Sequence, residues 1–471
     1  MNRPPRAMVP TRAAAAALVV AVGVIALFPA TPDDADAAAA RESRGALVLS
    51  GGVPGESFGC SVAAAGDVNG DGYDDVIAGA YQSARSGLTV GRAYVYYGSR
   101  RPVNRADVAL IGEAIGDAFG VCVASAGDMN HDGYADVIVG AYQNDGRGAN
   151  AGRAYVYFGG PNLHERPDLV LNGDAAGDAF GYAVSSAGDV NGDGFADVVV
   201  GAYENSARGA GAGRAYVFFG SARPDAVPDL VLSGEAAGDR FGISVACAGD
   251  VNRDGFADVI VGAYQNDAGG VDAGRAYIYF GGQKPDDRPD EVLRGATAGD
   301  SFGFSVAGVG DMNHDGFADV FVGAYHNAAG GKDAGRAYVY QGSVLPMEHP
   351  ALVLTGEAAG DAFGYAVSSA GDVNGDGFAD VAVGAYGNDA GGSAAGKAYV
   401  YYGGATDAAP DFPLAGEATL DNLGFAVSGA GDVDGDGFAD LVVGAPYSDA
   451  DAGRAYLARA LAGKARPVAR R

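Results

Sequence analysis

Positive charge is scarce in this chain of 471 residues: 31 Lys and Arg stand against 59 Asp and Glu, for a formal net charge of −28. Affinity for a phosphate backbone comes from clustered Lys and Arg, so the balance excludes a general nucleic-acid binder. It equally disfavours docking on an anionic membrane surface. Glycine is abundant, at 79 residues, but no Gly-X-Y period orders it, and a collagen is excluded. With 48% hydrophobic residues, 25 Tyr and 20 Phe, the chain is too apolar for a disordered acidic segment. The three cysteines have neither zinc spacing nor the density of a disulfide framework. Cys60, Cys122 and Cys247 therefore read as small buried hydrophobes rather than a bridge and a leftover thiol. Catalytic signatures are missing too. The five histidines (His131, His164, His314, His326, His349) are scattered, with no nucleophile motif, HExxH or phosphate-cradling loop near them.

Residues 1–37 have the layout of a secretory signal peptide. Arg3, Arg6 and Arg12 form a basic head, an apolar run follows from Ala13 to about Leu27, and Ala35-Asp36-Ala37 offers a small-residue cleavage site. The alternative is an uncleaved anchor, since the run approaches the ~18 residues that span a bilayer. No later segment is apolar enough to cross. Residues 38–44 read as a linker, 45–463 as the folded domain and 464–471 as a basic tail (Lys464, Arg466, Arg470, Arg471).

Self-similarity dominates the remainder. The segment Asp67-Val-Asn-Gly-Asp-Gly-Tyr-Asp-Asp75 recurs from Asp128, Asp189, Asp250, Asp311, Asp372 and Asp432, at spacings of 61 residues and finally 60. Each unit holds four strand-like runs parted by Gly- and Asp-rich turns. In the third they are Phe180 to Ser186, Asp197 to Tyr203, Arg214 to Phe219 and Asp229 to Leu232. The second run is continuously apolar, as suits a central strand covered on both faces, and none has a sustained helical period. Short strands, tight turns and seven copies predict an all-β, seven-bladed β-propeller of four-stranded antiparallel blades. The fold opens with Gly45 to Ser50, a copy of the fourth strand, and closes with Ala452 to Leu457, a copy of the third. The N-terminal strand is thus expected to complete the last blade and tie the ring shut.

Within each nonapeptide, positions one, three, five and nine carry side-chain oxygens, and the carbonyl of position seven supplies a fifth donor. Asp67, Asn69, Asp71, Tyr73 and Asp75 form the first set, and Asp128, Asn130, Asp132, Tyr134 and Asp136 the second. Asp189, Asn191, Asp193, Phe195 and Asp197 form the third; Asp250, Asn252, Asp254, Phe256 and Asp258 the fourth. The fifth is Asp311, Asn313, Asp315, Phe317 and Asp319, and the sixth Asp372, Asn374, Asp376, Phe378 and Asp380. Asp432, Asp434, Asp436, Phe438 and Asp440 complete the series. Hard oxygen donors in this number suit Ca²⁺, up to seven ions, and the glycine at position six permits the sharp turn that gathers them. No His, Cys or Met stands among the donors, which disfavours zinc and copper. The competing account is a set of Asx turns bonding their own backbone, but three carboxylates within nine residues repel one another without a cation. Position four is Gly in four copies and His131, Arg253 or His314 in the others, where a left-handed backbone strains a side chain. These three loops are expected to bind more weakly, and the seventh, with Asp434 as an additional carboxylate, most tightly.

Phe58-Gly59, the DxNxDGxxD loop and Gly79-Ala80-Tyr81 together resemble the FG-GAP repeat, the unit of the integrin α-subunit propeller. Phe-Gly recurs at 119, 180, 241, 302 and 363, with Leu423-Gly424 in the last copy; only Gly444-Ala445-Pro446 is a literal Gly-Ala-Pro. The resemblance implies a seven-bladed propeller with Ca²⁺ in the hairpin between the first two strands, and extracellular recognition or adhesion. Integrin function itself is not carried over, because no inserted ligand-binding domain, leg region or cytoplasmic tail is visible.

Residues present in every copy read as architectural. Such are the cation opening the third strand (Arg92, Arg153, Arg214, Arg275, Arg336, Lys397, Arg454) and the acid two before Phe-Gly (Glu56, Asp117, Asp178, Asp239, Asp300, Asp361, Asp421). The two rings are expected to pair; the alternative places the acids at a channel mouth, facing cationic ligands. The loop between strands two and three varies most, and its Asn, Asp and Gln, with Tyr142 or Tyr264 beside it, are candidates for reading sugar or protein. The sequence thus points to a secreted or surface-associated, calcium-binding, non-enzymatic recognition module, monomeric, with an extracellular protein or glycan ligand. A glycan-active hydrolase or lyase using an Asp/Glu pair, and a multivalent lectin, stand as alternatives.

Overall fold

Each repeat lays down four antiparallel strands in chain order, and seven such sheets succeed one another around a ring. In the computed structural model residues 42–43, 46–51, 53–81, 90–404 and 408–459 are described. The leader and tail readings fall outside them, as does most of the first loop between strands two and three. The third blade shows the pattern: Ala183–Gly188, Asp197–Ala202, Arg214–Phe218 and Leu230–Ser233. The second strand is buried at every position in all seven blades, as its unbroken apolar run requires. One short helix, Ser448–Asp451, interrupts the pattern in the last blade.

The first strand starts later than the sequence pattern places it, at Ala183 rather than Phe180. Phe180 instead pairs its backbone with Gly152 of the preceding blade. Gly181 then turns the chain with φ of +84° before the strand begins. That strand also runs two residues further, to Gly188 rather than Ser186, and the remaining differences in this blade are one residue at a strand end.

The motif glycines are explained by close backbone approach. The N–H of Gly181 donates to the carbonyl of Gly201 in its own blade at 2.9 Å. Its carbonyl faces Gly140 of the blade before, where a β-carbon would collide with it. A larger residue at either place would force the inner strands apart.

The core lies between blades, not within them. One apolar cluster joins Ile77 and Val95 of the first blade to Phe119, Val137 and Tyr155 of the second. Each Phe of a Phe-Gly pair packs edge to face on the first Tyr of its own third strand, as Phe180 does on Tyr216 at 5.4 Å. Because no blade buries both faces alone, the ring is one cooperative unit.

Closure follows the expected exchange. Ala46–Leu49 pairs antiparallel with Arg454–Ala458 and completes the seventh blade. Leu47 and Leu49 insert into the cluster shared with Val62 and Val76 of the first blade. Glu42–Ser43, within the segment read as linker, adds a two-residue pairing outside Ala46–Leu47. No helix among the described residues is long and apolar enough to cross a membrane.

Candidate functional site

The nonapeptide connects the first strand to the second at one end of the inner hairpin. Position six has φ between +88° and +92° in every copy, which explains the invariant glycine. Position four is also left-handed throughout, including His131 (+59°), Arg253 (+61°) and His314 (+59°). In the first loop Asp67 Oδ1 accepts the N–H of Asp71 at 3.1 Å, and its Oδ2 accepts that of Gly72 at 2.9 Å. Asn69 Oδ1 accepts the Asp71 N–H at 2.8 Å, while its amide donates to Asp71 Oδ2 at 3.0 Å. The same bonds recur in the third loop among Asp189, Asn191 and Asp193. These loops thus make the Asx turns of the competing account, and among the described residues three carboxylates converge within 4.8 Å only in the seventh loop.

The ninth residue is fully buried. Asp75 Oδ2 accepts the Val68 N–H at 2.9 Å and Oδ1 the Gly98 N–H at 2.7 Å, so it staples the loop to the turn after the third strand. Burial pushes its carboxyl up to about 7 despite these donors, and the nearby Asp71 and Asp67 charges act in the same direction. Asp136, Asp197, Asp258 and Asp380 are raised to about 7, and Asp319 to about 6, for the same reasons.

A hard divalent cation fits this donor set best in the seventh loop. There one carboxylate oxygen from each of Asp432, Asp434 and Asp440 lies within 4.8 Å of the others. Asp434 Oδ1 is buried without a hydrogen-bond partner. Leaving such an atom unpaired is costly, and a cation relieves it. Arg459 stands 3.9 Å from Asp434 Oδ2, which offsets part of the added negative charge.

Neighbouring loops also touch, which the sequence reasoning missed. The ring at position seven of each loop lies against position four of the loop before. A β-carbon on Gly70, Gly192, Gly375 or Gly435 would strike Tyr134, Phe256, Phe438 or Tyr73 respectively. Where position four bears a side chain, that side chain meets the ring: His131 on Phe195 at 5.5 Å, His314 on Phe378 at 4.1 Å, and the Arg253 guanidinium over Phe317 at 5.8 Å. The next residue adds a backbone bond, as in Ala257 N–H to Asp189 C=O at 3.1 Å. Alternation of position four between Gly and a ring-stacking residue is the sequence signal that marks the contact.

At the other end of the inner hairpins an aromatic belt surrounds the central channel. The tyrosines that end the second strands meet residues following the Phe-Gly turns: Tyr203 on Tyr182 at 4.7 Å, Tyr325 on Phe304 at 4.6 Å, Tyr386 on Tyr365 at 4.6 Å. These rings are half-buried. Tyr182, Phe304 and Tyr365 line, with the inner strands, a cavity of about 370 Å³. Cys60 and Cys122 line it as free thiols, and Cys247 is free as well. Burial pushes the Cys60 thiol up to about 12, which keeps it protonated and unreactive.

The expected pairing of the two charged rings is corrected. Only Glu56 reaches its cation, Arg92, at 3.5 Å. In five other blades the cation binds the acid six before the Phe-Gly or Leu-Gly pair, as Arg214 does Asp174 at 3.3 Å, Arg275 Glu235 at 2.8 Å and Lys397 Glu357 at 2.8 Å; in the fifth that position is Ala296, and Arg336 Nε donates to Thr355 Oγ1 at 3.2 Å. The Asp two before Phe-Gly is too short to reach and is buried. In four copies it accepts the side chain of a buried Asn, as Asp178 does from Asn205 at 2.9 Å beside the Ala175 N–H at 2.9 Å, whereas Asp300 accepts the Thr297 hydroxyl at 2.6 Å. It therefore faces no channel mouth. Asn144, Asn205, Asn266 and Asn388, in the loop considered for ligand reading, are architectural.

A ring of seven repeats, each with an oxygen-rich loop at one end and a Phe-Gly turn at the other, defines a seven-bladed β-propeller of integrin-α type. The chain belongs to the FG-GAP repeat family, whose model matches residues 58–96, 123–157, 180–218, 241–279, 302–340, 363–401 and 423–457. It is 33% identical over 238 residues to integrin alpha-5 of Xenopus laevis, covering 47% of this chain and 21% of that protein. It is 41% identical over 169 residues to integrin alpha-7 of Rattus norvegicus, covering 34% and 14%. With integrin alpha-IIb of Homo sapiens the identity is 37% over 164 residues, covering 33% and 16%. The matched stretch is thus a small part of each relative's length. Among solved structures, BBS1N in complex with ARL6DN, soaked with lead or with mercury, superposes with TM-scores of 0.48 and 0.49 at 10% identity. The two likenesses cover 87% of this chain and 96% and 92% of those chains.

Proposed function

We propose that the chain is an extracellular recognition module whose tyrosine-lined mouth docks a protein ligand and whose opposite face is held by calcium. The observation that carries this reading is the aromatic belt. Half-buried tyrosines offer broad contact area at small entropic cost and are enriched at the centres of protein interfaces. The kinship with integrin alpha chains supports the same reading, as does the secretory layout of residues 1–37. In each loop the Asp at positions one and five, the Asn (Asp434 in the seventh) at three, the carbonyl at seven and the buried Asp at nine would hold the ion. When bound, it supplies the positive charge that three clustered carboxylates lack.

The test is binding of the secreted protein to an array of extracellular-matrix proteins, with a glycan array in parallel, in calcium and in chelator. Binding to a protein that is lost in Tyr264→Ala and Tyr386→Ala, and kept in a variant of the outer strands such as Val231→Thr, is the expected result. Binding confined to glycans, or mapped to the outer strands, overturns the docking assignment. Release of sugar ends from those glycans would instead identify an enzyme.

A further inference from the structure

We infer that each metal loop is completed from the next blade, the aromatic residue at position seven acting as a positioning residue for the loop before its own. The inference rests on the calcium reading above and adds a direction to it.

Phe256 illustrates the geometry. Its carbonyl belongs to the fourth loop's donor set, while its ring lies on Gly192 of the third, where even a β-carbon would strike Cε1. Gly192 is left-handed, at φ of +74°, and its N–H donates to Asp189 Oδ1 at 2.7 Å. That bond orients the first donor of the third loop. The ring therefore presses on the residue that aims a metal-binding carboxylate. The following residue, Ala257, ties its N–H to the Asp189 carbonyl at 3.1 Å, so ring and backbone of the fourth loop bear on Gly192 and Asp189 of the same turn. Partners that orient a ligand without touching the metal typically change affinity about 10–100-fold when removed. Because a bound ion fixes the Phe256 carbonyl, it also fixes the ring. Occupancy of the fourth loop thereby favours occupancy of the third, and the same ring contact and bond recur at Gly70 under Tyr134 and at Gly375 under Phe438.

The experiment is a calcium titration of glycine-labelled full-length protein, reading the amide resonances of Gly194 for the third loop and Gly255 for the fourth. Phe256→Ala is expected to weaken the third loop about tenfold and leave the fourth nearly unchanged. Phe256→Tyr, the residue that loops one and two carry there, restores it. Asp254→Ala, which empties the fourth loop, is expected to weaken the third as well. Phe256 is half-exposed, and thermal unfolding of each variant shows whether it folds. An unchanged third loop, or equal loss at both loops, overturns the inference. Absence of calcium binding at every loop of the unsubstituted protein overturns the metal reading and this inference together.

Discussion

The carboxylate of Asp74 accepts the backbone N–H of Asp432 at 2.8 Å, joining the first acidic loop to the seventh across 358 residues of chain. Asp74 returns its own N–H to the Asp432 carbonyl at 3.3 Å. In the other six copies this position is Ala, and five of them make only the backbone bond to the neighbouring loop. The additional bond therefore marks the seam between the first blade and the seventh, the blade whose outer strand comes from the opposite end of the chain.

Replacing Asp74 by Ala should open the seam. The expected cost is about 1–2 kcal/mol, the worth of a half-buried bond to a charged acceptor. Denaturant unfolding measures it, and amide exchange at Asp432 should accelerate while the equivalent amide of Asp189 stays as it was.

The N-terminal strand should matter more than its four residues suggest. Leu49→Ala removes a side chain buried between the seventh and first blades, with an expected loss of about 2–5 kcal/mol. Deleting residues 1–50 bares the edge of Arg454–Ala458, and a broad, less cooperative melt with concentration-dependent association is expected. Light scattering during the melt reports it.

Propeller, blade count and closure were legible because seven copies stand in one chain, and agreement among them isolates what a blade requires. Left-handed backbone at position four was legible for the same reason. The partners of Arg214 and Lys397 were not, because pairing with Asp174 and Glu357 rather than the Asp beside Phe-Gly depends on side-chain reach at a given register. The grip of Phe256 on Gly192 was hidden since it joins two repeats, and a single repeat shows only an aromatic residue whose carbonyl is available. The first-strand boundary failed where the Phe180 backbone is taken by the neighbouring blade.

Stability should depend on pH in opposite ways with and without metal. Carboxyls of the unfolded chain release protons near pH 4, whereas those of Asp75, Asp136, Asp197, Asp258 and Asp380 hold theirs to about 7, facing Asp67 and Asp71 or their equivalents. The metal-free fold thus binds more protons than the unfolded chain over this interval, and its stability falls as pH rises from about 4 to 7. Calcium requires the ionised forms, so the gain it confers grows over the same interval. Melting temperatures in chelator should be higher at pH 5 than at pH 8, with the calcium increment larger at pH 8. Equal increments would contradict the assignment.

The loops should differ in affinity. Loops two, four and five carry strained residues at position four, and Arg253 adds a cation beside the fifth loop, where it approaches Gly316. Arg253→Gly should tighten the fourth loop by about 1 kcal/mol through relief of backbone strain, and the fifth several-fold by removing the cation beside it. In the seventh loop Arg459→Gln should raise affinity and Asp434→Asn lower it, both read by calorimetric titration.

Thermal unfolding of the full chain in millimolar calcium and in excess chelator tests the account most directly, because fold and metal are held there to be one system. Several loops filled well above their dissociation constants should raise the melting temperature by roughly 10–20 °C. A shift of about a degree or less would contradict it.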